Sequence, residues 1–171
     1  MADTLSVDIK ASLEWLFQDV DSLTTISDTS KLIFKHSFSD GTAADQADLL
    51  WYDERTVATA ANDDLDLTAL TRSVFGSVLT VTFAKVKSLL IVNTATTAGE
   101  DLTIGAAASN AWAGPLGGSS HTLRVPADSP VLMVNRKTGW SVVDSSSDIL
   151  RIANSGTADI TYRIAIVGTS V

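Results

Sequence analysis

The chain has 171 residues, enough for one domain with its own core or for a domain with an arm. Its composition is 45% hydrophobic with a mean hydropathy of +0.21, which excludes a disordered chain. The lack of cysteine excludes disulfides, thiolate metal sites and cysteine nucleophiles, and the net charge of −8 argues against binding to nucleic acid.

The charge is distributed unevenly along the chain. Residues 1–66 contain 14 acidic and 4 basic residues, a net charge of −10, whereas residues 67–171 contain 6 and 8, a net charge of +2. Such asymmetry either reflects a more solvated first part or steers one subunit onto another. The first residues do not resemble a signal peptide, and no apolar run approaches the roughly 20 residues of a membrane span. We therefore expect no membrane partner.

Residues 7–17 alternate between apolar and polar side chains. This period of two predicts a half-buried β-strand, although the good helix formers in the same segment leave a helix as the alternative. The strand belongs either to the chain's own sheet or to an N-terminal arm. Its candidate interface residues are Val7, Ile9, Leu13, Trp15 and Phe17.

The remaining pattern predicts an all-β fold. Residues 19–30 are predicted as a connection, 31–38 as a strand, 62–64 as a loop and 68–73 as a helical turn, while 43–61 allow either a short helix or extended chain. Further strands are predicted at 77–83, 87–93, 101–104, 121–125, 131–134, 140–143, 149–153 and 160–167. Many short strands separated by turns at regular spacing indicate an antiparallel β-sandwich or jelly roll.

We divide the chain into an N-terminal arm or small subdomain at 1–70 and a β-sandwich domain at 75–171. No linker rich in proline or glycine marks the boundary, so the two parts are free to share one core.

The residues offer little catalytic chemistry. A Ser-His-Asp set can be assembled on paper from Ser119 or Ser120, His121 and Asp128, but the chain has no G-x-S-x-G elbow. His36 lies on the apolar face of a predicted strand and is interpreted as a packed histidine. The acidic run at 62–66 suits either calcium or a solvated loop, and its spacing does not match an EF-hand. We expect no enzyme activity, no bound metal and no cofactor.

Trp112 is a further candidate binding residue, because it lies in a segment of small residues that is predicted as a loop. An exposed loop tryptophan is typical of a protein interface or of a sugar-binding site, whereas a buried tryptophan belongs to the core. Trp112 therefore joins the candidate interface residues, with the core as the open alternative.

Several segments resemble small structural proteins of bacteriophage particles. The similarity is carried by 40–43 with 47–48, 51–58, 64–67, 83–93 (FAKVKSLLIVN), 102–105 and 148–168 (DILRIANSGTADITYRIAIVG). Together they cover most of residues 40–168 and look like capsid decoration, cement or minor capsid proteins. These are packing motifs and not catalytic signatures.

The resemblance implies a β-rich homo-oligomer, with a trimer favoured, that binds the major capsid protein or other virion proteins through an N-terminal arm. It also implies assembly in the host cytoplasm and a final location in the virion. Two alternatives remain: a tail, baseplate or head-fibre subunit, and a β-sandwich module that binds a carbohydrate or receptor.

Overall fold

The computed structural model describes residues 4–74 and 77–171. Residues 1 and 75, at which the two predicted parts 1–70 and 75–171 begin, lie outside the described ranges. Within those ranges the chain forms thirteen β-strands and one 3-10 turn at Gly114–Leu116. The strands are β1 (Val7–Val20), β2 (Thr25–Phe38), β3 (Leu49–Val57), β4 (Asn62–Asp66), β5 (Leu70–Val74), β6 (Ser77–Val81), β7 (Lys85–Asn93), β8 (Leu102–Gly105), β9 (Thr122–Val125), β10 (Ser129–Val134), β11 (Trp140–Ser141), β12 (Ile149–Asn154) and β13 (Ile160–Thr169).

Two antiparallel sheets form a sandwich, as the sequence predicted. The first sheet has the order β10-β7-β13-β3, with β11 also paired to β7, and the second has the order β4-β12-β8-β9. β13, the last strand, lies between β3 and β7 and pairs with both. No helix in the described part of the chain is long and apolar enough to cross a membrane.

The main core fills the space between these two sheets. On β13, the alternating residues Ile160, Tyr162, Ile164 and Ile166 all point into it, because successive side chains of a strand face opposite sides. The opposing sheet contributes Leu65, Leu102, Ile104, Val125, Leu150 and Ile152. Burying each such side chain contributes about 1.5–3 kcal/mol, so this core supplies most of the stability of the body.

Two hairpins extend the sandwich. β5 and β6 form a short one, while β1 and β2 pair over 14 residues each to form a long two-stranded ribbon, which we call the arm (residues 7–38). At about 3.4 Å per residue, each strand of the arm is roughly 48 Å long. Among the described residues, β1 pairs only with β2, so the arm is not part of either sandwich sheet.

Four sequence predictions differ from the structure. The boundary near residue 70 is wrong, because β3 and β4 pair with β13 and β12 inside the sandwich, whose body therefore begins after the arm. Most of the predicted connection at 19–30 continues β1 and β2, and only a tight turn separates them. The predicted loop at 62–64 lies in strand β4, and the predicted helical turn at 68–73 is largely strand β5. Residues 43–61 adopt the extended alternative, with Trp51 buried on β3.

Candidate assembly surface

The arm has one apolar face and one largely polar face. The β1–β2 register places odd residues of β1 beside even residues of β2, so that Leu13 faces Leu32 and Ala11 faces Phe34. The apolar face is formed by Val7, Ile9, Ala11, Leu13, Trp15, Phe17, Ile26, Leu32, Phe34 and Phe38. On the opposite face Lys10 faces Lys35 and Glu14 faces Lys31, and the exposed apolar residues Leu16, Val20 and Ile33 lie among polar neighbours.

The outer part of this apolar face is exposed to solvent. Leu13 is 65% exposed, Phe17 is 70% and Leu32 is 69%, while Trp15 and Phe34 are each more than 40% exposed. A two-stranded hairpin is at best marginally stable in water when nothing covers its apolar face. A contiguous exposed apolar patch on a protein marks an interaction surface. We therefore treat this part of the arm as the candidate functional site.

The base of the arm is fixed to the sandwich through a second, smaller core. Ile9 and Phe38 are buried against Val167 on β13 and against Ala47, with Leu50 among the partly buried neighbours. These contacts lie on the outer side of the first sheet, opposite the main core. Val7 and Ile9, two of the predicted interface residues, are therefore packed within the chain itself, whereas Leu13, Trp15 and Phe17 lie in the exposed part.

A group of charges also holds the base of the arm. Asp45 lies 3.6 Å from His36 of β2 and 3.4 Å from Arg136, and it accepts a hydrogen bond from Lys137. The backbone N–H of Asp45 also donates to the carbonyl of Arg136 at 2.9 Å. The hydrogen bond from Lys137, with the added charges of Arg136 and His36, lowers the pKa of Asp45. The carboxylate thus bridges the arm to the turn after β10.

The same loop covers a buried lysine. Lys87 lies where the β7–β13 register shifts, and its Nζ donates hydrogen bonds to the carbonyls of Ala43 and Gln46, the latter at 2.8 Å. Burial lowers the pKa of this ammonium group, and the nearby Lys85 lowers it further. Carbonyl acceptors satisfy the buried charge and tie the loop at 43–46 to the sheet on which the arm stands.

The candidate catalytic residues Ser119, Ser120, His121 and Asp128 share no hydrogen bond or ion pair in the described part of the chain. His121 Nδ1 lies 3.0 Å from the carbonyl oxygen of Leu116, and no hydrogen bond or ion pair within residues 4–74 and 77–171 joins His121 to Asp128. His36 stacks edge-on against Phe38 at 4.7 Å, in agreement with its interpretation as a packed histidine.

The carboxylates of the acidic run are each engaged by other side chains. Asp63 accepts both arms of the Arg55 guanidinium, at 2.5 and 2.9 Å, and the hydroxyl of Tyr162 at 2.8 Å. Asp64 pairs with Arg151 at 2.7 Å, which lowers the pKa of Asp64. Asp66 accepts hydrogen bonds from Thr68. In the part of the chain that the structure describes, no group of three potential ligands is placed to hold a metal ion.

Trp112 belongs to the core and not to an exposed interface. It is 2% exposed, its Nε1 donates to the carbonyl of Ser141 at 2.9 Å, and its ring meets Trp140 edge-on at 6.4 Å. A partner could not contact this ring without opening the core, so Trp112 is withdrawn from the candidate surface. The sugar-binding alternative loses the exposed aromatic ring on which it depended.

The fold and the site together define an all-β sandwich that carries a projecting apolar hairpin. No protein-family model matches the chain, and no curated protein matches it either. Among solved structures, a mitogen from Yersinia pseudotuberculosis is similar, with 15% sequence identity and a TM-score of 0.37. The similarity covers 72% of this chain and 88% of that one. A likeness this distant carries no argument about function.

Proposed function

We propose that the chain is a structural subunit of a phage particle, where it decorates or cements the capsid through protein–protein packing. The observation that carries this proposal is the exposed apolar face of the arm, which has no covering partner within the described chain. The virion setting comes from the sequence resemblance, and the arm supports it as the kind of extension through which neighbouring subunits are joined.

The construction of the arm suits a permanent contact better than a transient one. Its base is fixed by the small core around Ile9 and Phe38 and by the Asp45 charges, so its direction is set by the sandwich. Its outer part exposes six large apolar side chains on the apolar face and three, Leu16, Val20 and Ile33, on the opposite face. Permanent interfaces are more apolar than transient ones, so an arm that exposes this much apolar surface until it binds favours a stable assembly.

The test uses phage particles that lack this protein. Purified chain is mixed with them, and the bound fraction is measured after sedimentation. The matched control is an arm-shortened variant in which residues 11–34 are replaced by an Asn-Gly turn between Lys10 and Lys35, which face each other in the ribbon. We expect the full chain to sediment with the particles up to a fixed number of copies and the arm-shortened variant to lose at least 90% of that binding. No saturable binding of the full chain would overturn the proposal.

A further inference from the structure

The outer side of the first sheet carries a second apolar surface. One row of residues across this face consists of Tyr52 on β3, Ala165 on β13, Leu90 on β7 and Leu132 on β10. Tyr52 is 60% exposed and Ala165 and Leu90 are half-buried. With Val92 on the next row, they border a shallow depression of about 430 Å³. We call this surface the open sheet face (Tyr52, Leu90, Val92 and Ala165).

The open sheet face continues a contact that the chain already makes with its own arm. The adjacent row, two residues further along each strand, contains Leu50, Val167 and Val134, which pack with Ile9 and Phe38 at the base of the arm. The apolar side of the ribbon and the outer side of this sheet are therefore complementary where they meet. Beyond that contact, the apolar face of the arm and the open sheet face are both exposed to solvent.

We infer that the exposed half of the arm packs on the open sheet face of a second copy of this chain. This inference deepens the proposed function, because it names the partner of the arm. The six large side chains on the uncovered part of the arm are 41–70% exposed; they are Leu13, Trp15, Phe17, Ile26, Leu32 and Phe34. At about 200 Å² for a whole side chain they offer roughly 700 Å², against the ~800 Å² that each partner contributes to a stable interface, so the contact must extend beyond the four residues of the open sheet face.

The charges around the two surfaces agree with this pairing. The apolar face of the arm ends at its tip with the acidic residues Asp19 and Asp28. On the open sheet face, Glu54 is already paired with Arg163 at 2.7 Å, and Arg72 lies over the ring of Tyr52 at 5.8 Å without a carboxylate partner among the described residues. Asp53 also borders the depression and is paired with Arg55 at 3.2 Å. In the inferred contact the acidic tip lies toward Arg72, which fixes the direction of the arm on its partner.

When an arm binds the sheet of a neighbour, each copy gives one surface and receives the other. Such contacts close either by reciprocal exchange between two copies or by repeating from copy to copy into a ring. A contact of one arm with another arm would instead join two copies through the same surface. Variants of the two surfaces separate these arrangements, because the first needs both surfaces and the second needs only the arm.

The experiment measures the solution mass of full-length variants by light scattering. Phe17→Asp damages the arm and Tyr52→Asp damages the open sheet face; both positions are mostly exposed, and thermal melts verify that each variant folds. Gln18→Asp is the matched control, because Gln18 is the exposed neighbour of Phe17 on the opposite face of the same strand. A second sheet variant, Ala165→Asp, serves if Tyr52→Asp does not fold.

We expect the parent chain and Gln18→Asp to associate, and each damaged variant alone to run as a monomer of about 18.0 kDa. A mixture of the two damaged variants should form a dimer and nothing larger, because one intact arm and one intact sheet face remain between them. A monomeric parent chain would overturn the inference, as would a sheet variant that stays associated while the arm variant does not. The proposed function fails separately, if associated chain does not bind phage particles.

Discussion

At the scale of single residues, two tryptophans show how differently the same side chain is used. Trp112 is enclosed by the core, whereas Trp15 is 41% exposed on the arm. Replacing Trp112 with alanine leaves a cavity and an unpaired carbonyl at Ser141, so we expect a loss of about 3–5 kcal/mol in the free energy of unfolding. Chemical denaturation in the Tyr52→Asp background, in which the chain is expected to be monomeric, measures the loss.

Trp15→Ala is the control for this substitution, because it removes the same number of atoms from a surface position. We expect it to change the unfolding free energy of the monomer by no more than about 0.5 kcal/mol. Equal losses for the two variants would contradict the assignment of Trp112 to the core and of Trp15 to the surface.

Asp45 gives the base of the arm a dependence on pH. Its pKa is lower in the folded chain than the 3.8 of an unperturbed aspartate, because Lys137 donates a hydrogen bond to it. The unfolded chain therefore takes up a proton first as the pH falls. The stabilising contribution of Asp45 is fully present above the ordinary carboxyl pKa and is lost as the pH falls through the lower folded-state value.

We expect Asp45→Asn to lower the melting temperature at neutral pH, by less than Trp112→Ala does. The difference from the parent chain should shrink when the pH is lowered below 4. Asp128→Asn, at an exposed position away from the arm, is the control and should show no such difference. A constant difference between Asp45→Asn and the parent chain across the acidic range would exclude Asp45 as the titrating group.

The sequence predicted the faces of strands better than the environments of single loop residues. The alternation at 7–17 indicates which side chains share a face, because that depends only on the local period of the strand. The burial of Trp112 depends on Ser141 and Trp140, which lie about 30 residues further along the chain. No local pattern carries that information, so both alternatives for Trp112 had to stay open.

At the scale of secondary structure, the arm shows why polar segments are hard to assign. Residues 25–30 are rich in serine and threonine and were predicted as a connection, yet they form the first half of β2. Main-chain hydrogen bonds to β1 hold this segment, and in the isolated chain no second layer packs against it. Only Ile26 is apolar among residues 25–30, so this segment shows no apolar alternation from which the sequence could predict a strand.

The dynamics of the arm follow from the same lack of covering contacts. In the monomer, the backbone amides of residues 11–34 should exchange with solvent far faster than those of β7 and β13, which lie inside the first sheet. In the assembled state, we expect the inter-strand amides of the arm to be protected at least tenfold more than in the monomer. Hydrogen exchange followed by mass spectrometry measures both states, and unchanged protection of the arm would show that assembly uses another surface.

At the scale of the whole molecule, the all-β class was predictable and the strand order was not. Turn residues and period-two patterns indicate strands one at a time, whereas the order β10-β7-β13-β3 is set by contacts between distant segments. The early strands β3 and β4 complete the two sheets, which is why the predicted boundary near residue 70 fell inside the sandwich. The sequence likewise could not show that the arm stands on the outer side of the first sheet.

The arm and the sandwich are energetically separable, because the exposed half of the arm lies outside both cores. The arm-shortened variant, in which an Asn-Gly turn replaces residues 11–34, keeps Ile9 and Phe38 and should therefore melt within a few degrees of the monomeric parent chain. A much lower melting temperature would mean that residues 11–34 stabilise the body and are more than a projecting surface.

The central claim is that the exposed apolar face of the arm joins subunits, and the solution mass of the full chain beside that of the arm-shortened variant tests it most directly. We predict that the full chain forms a defined oligomer whose mass is a multiple of 18.0 kDa, with three copies favoured, and that the arm-shortened variant is a folded monomer. A full chain that stays monomeric, or an arm-shortened variant that keeps the same number of copies, would contradict the claim.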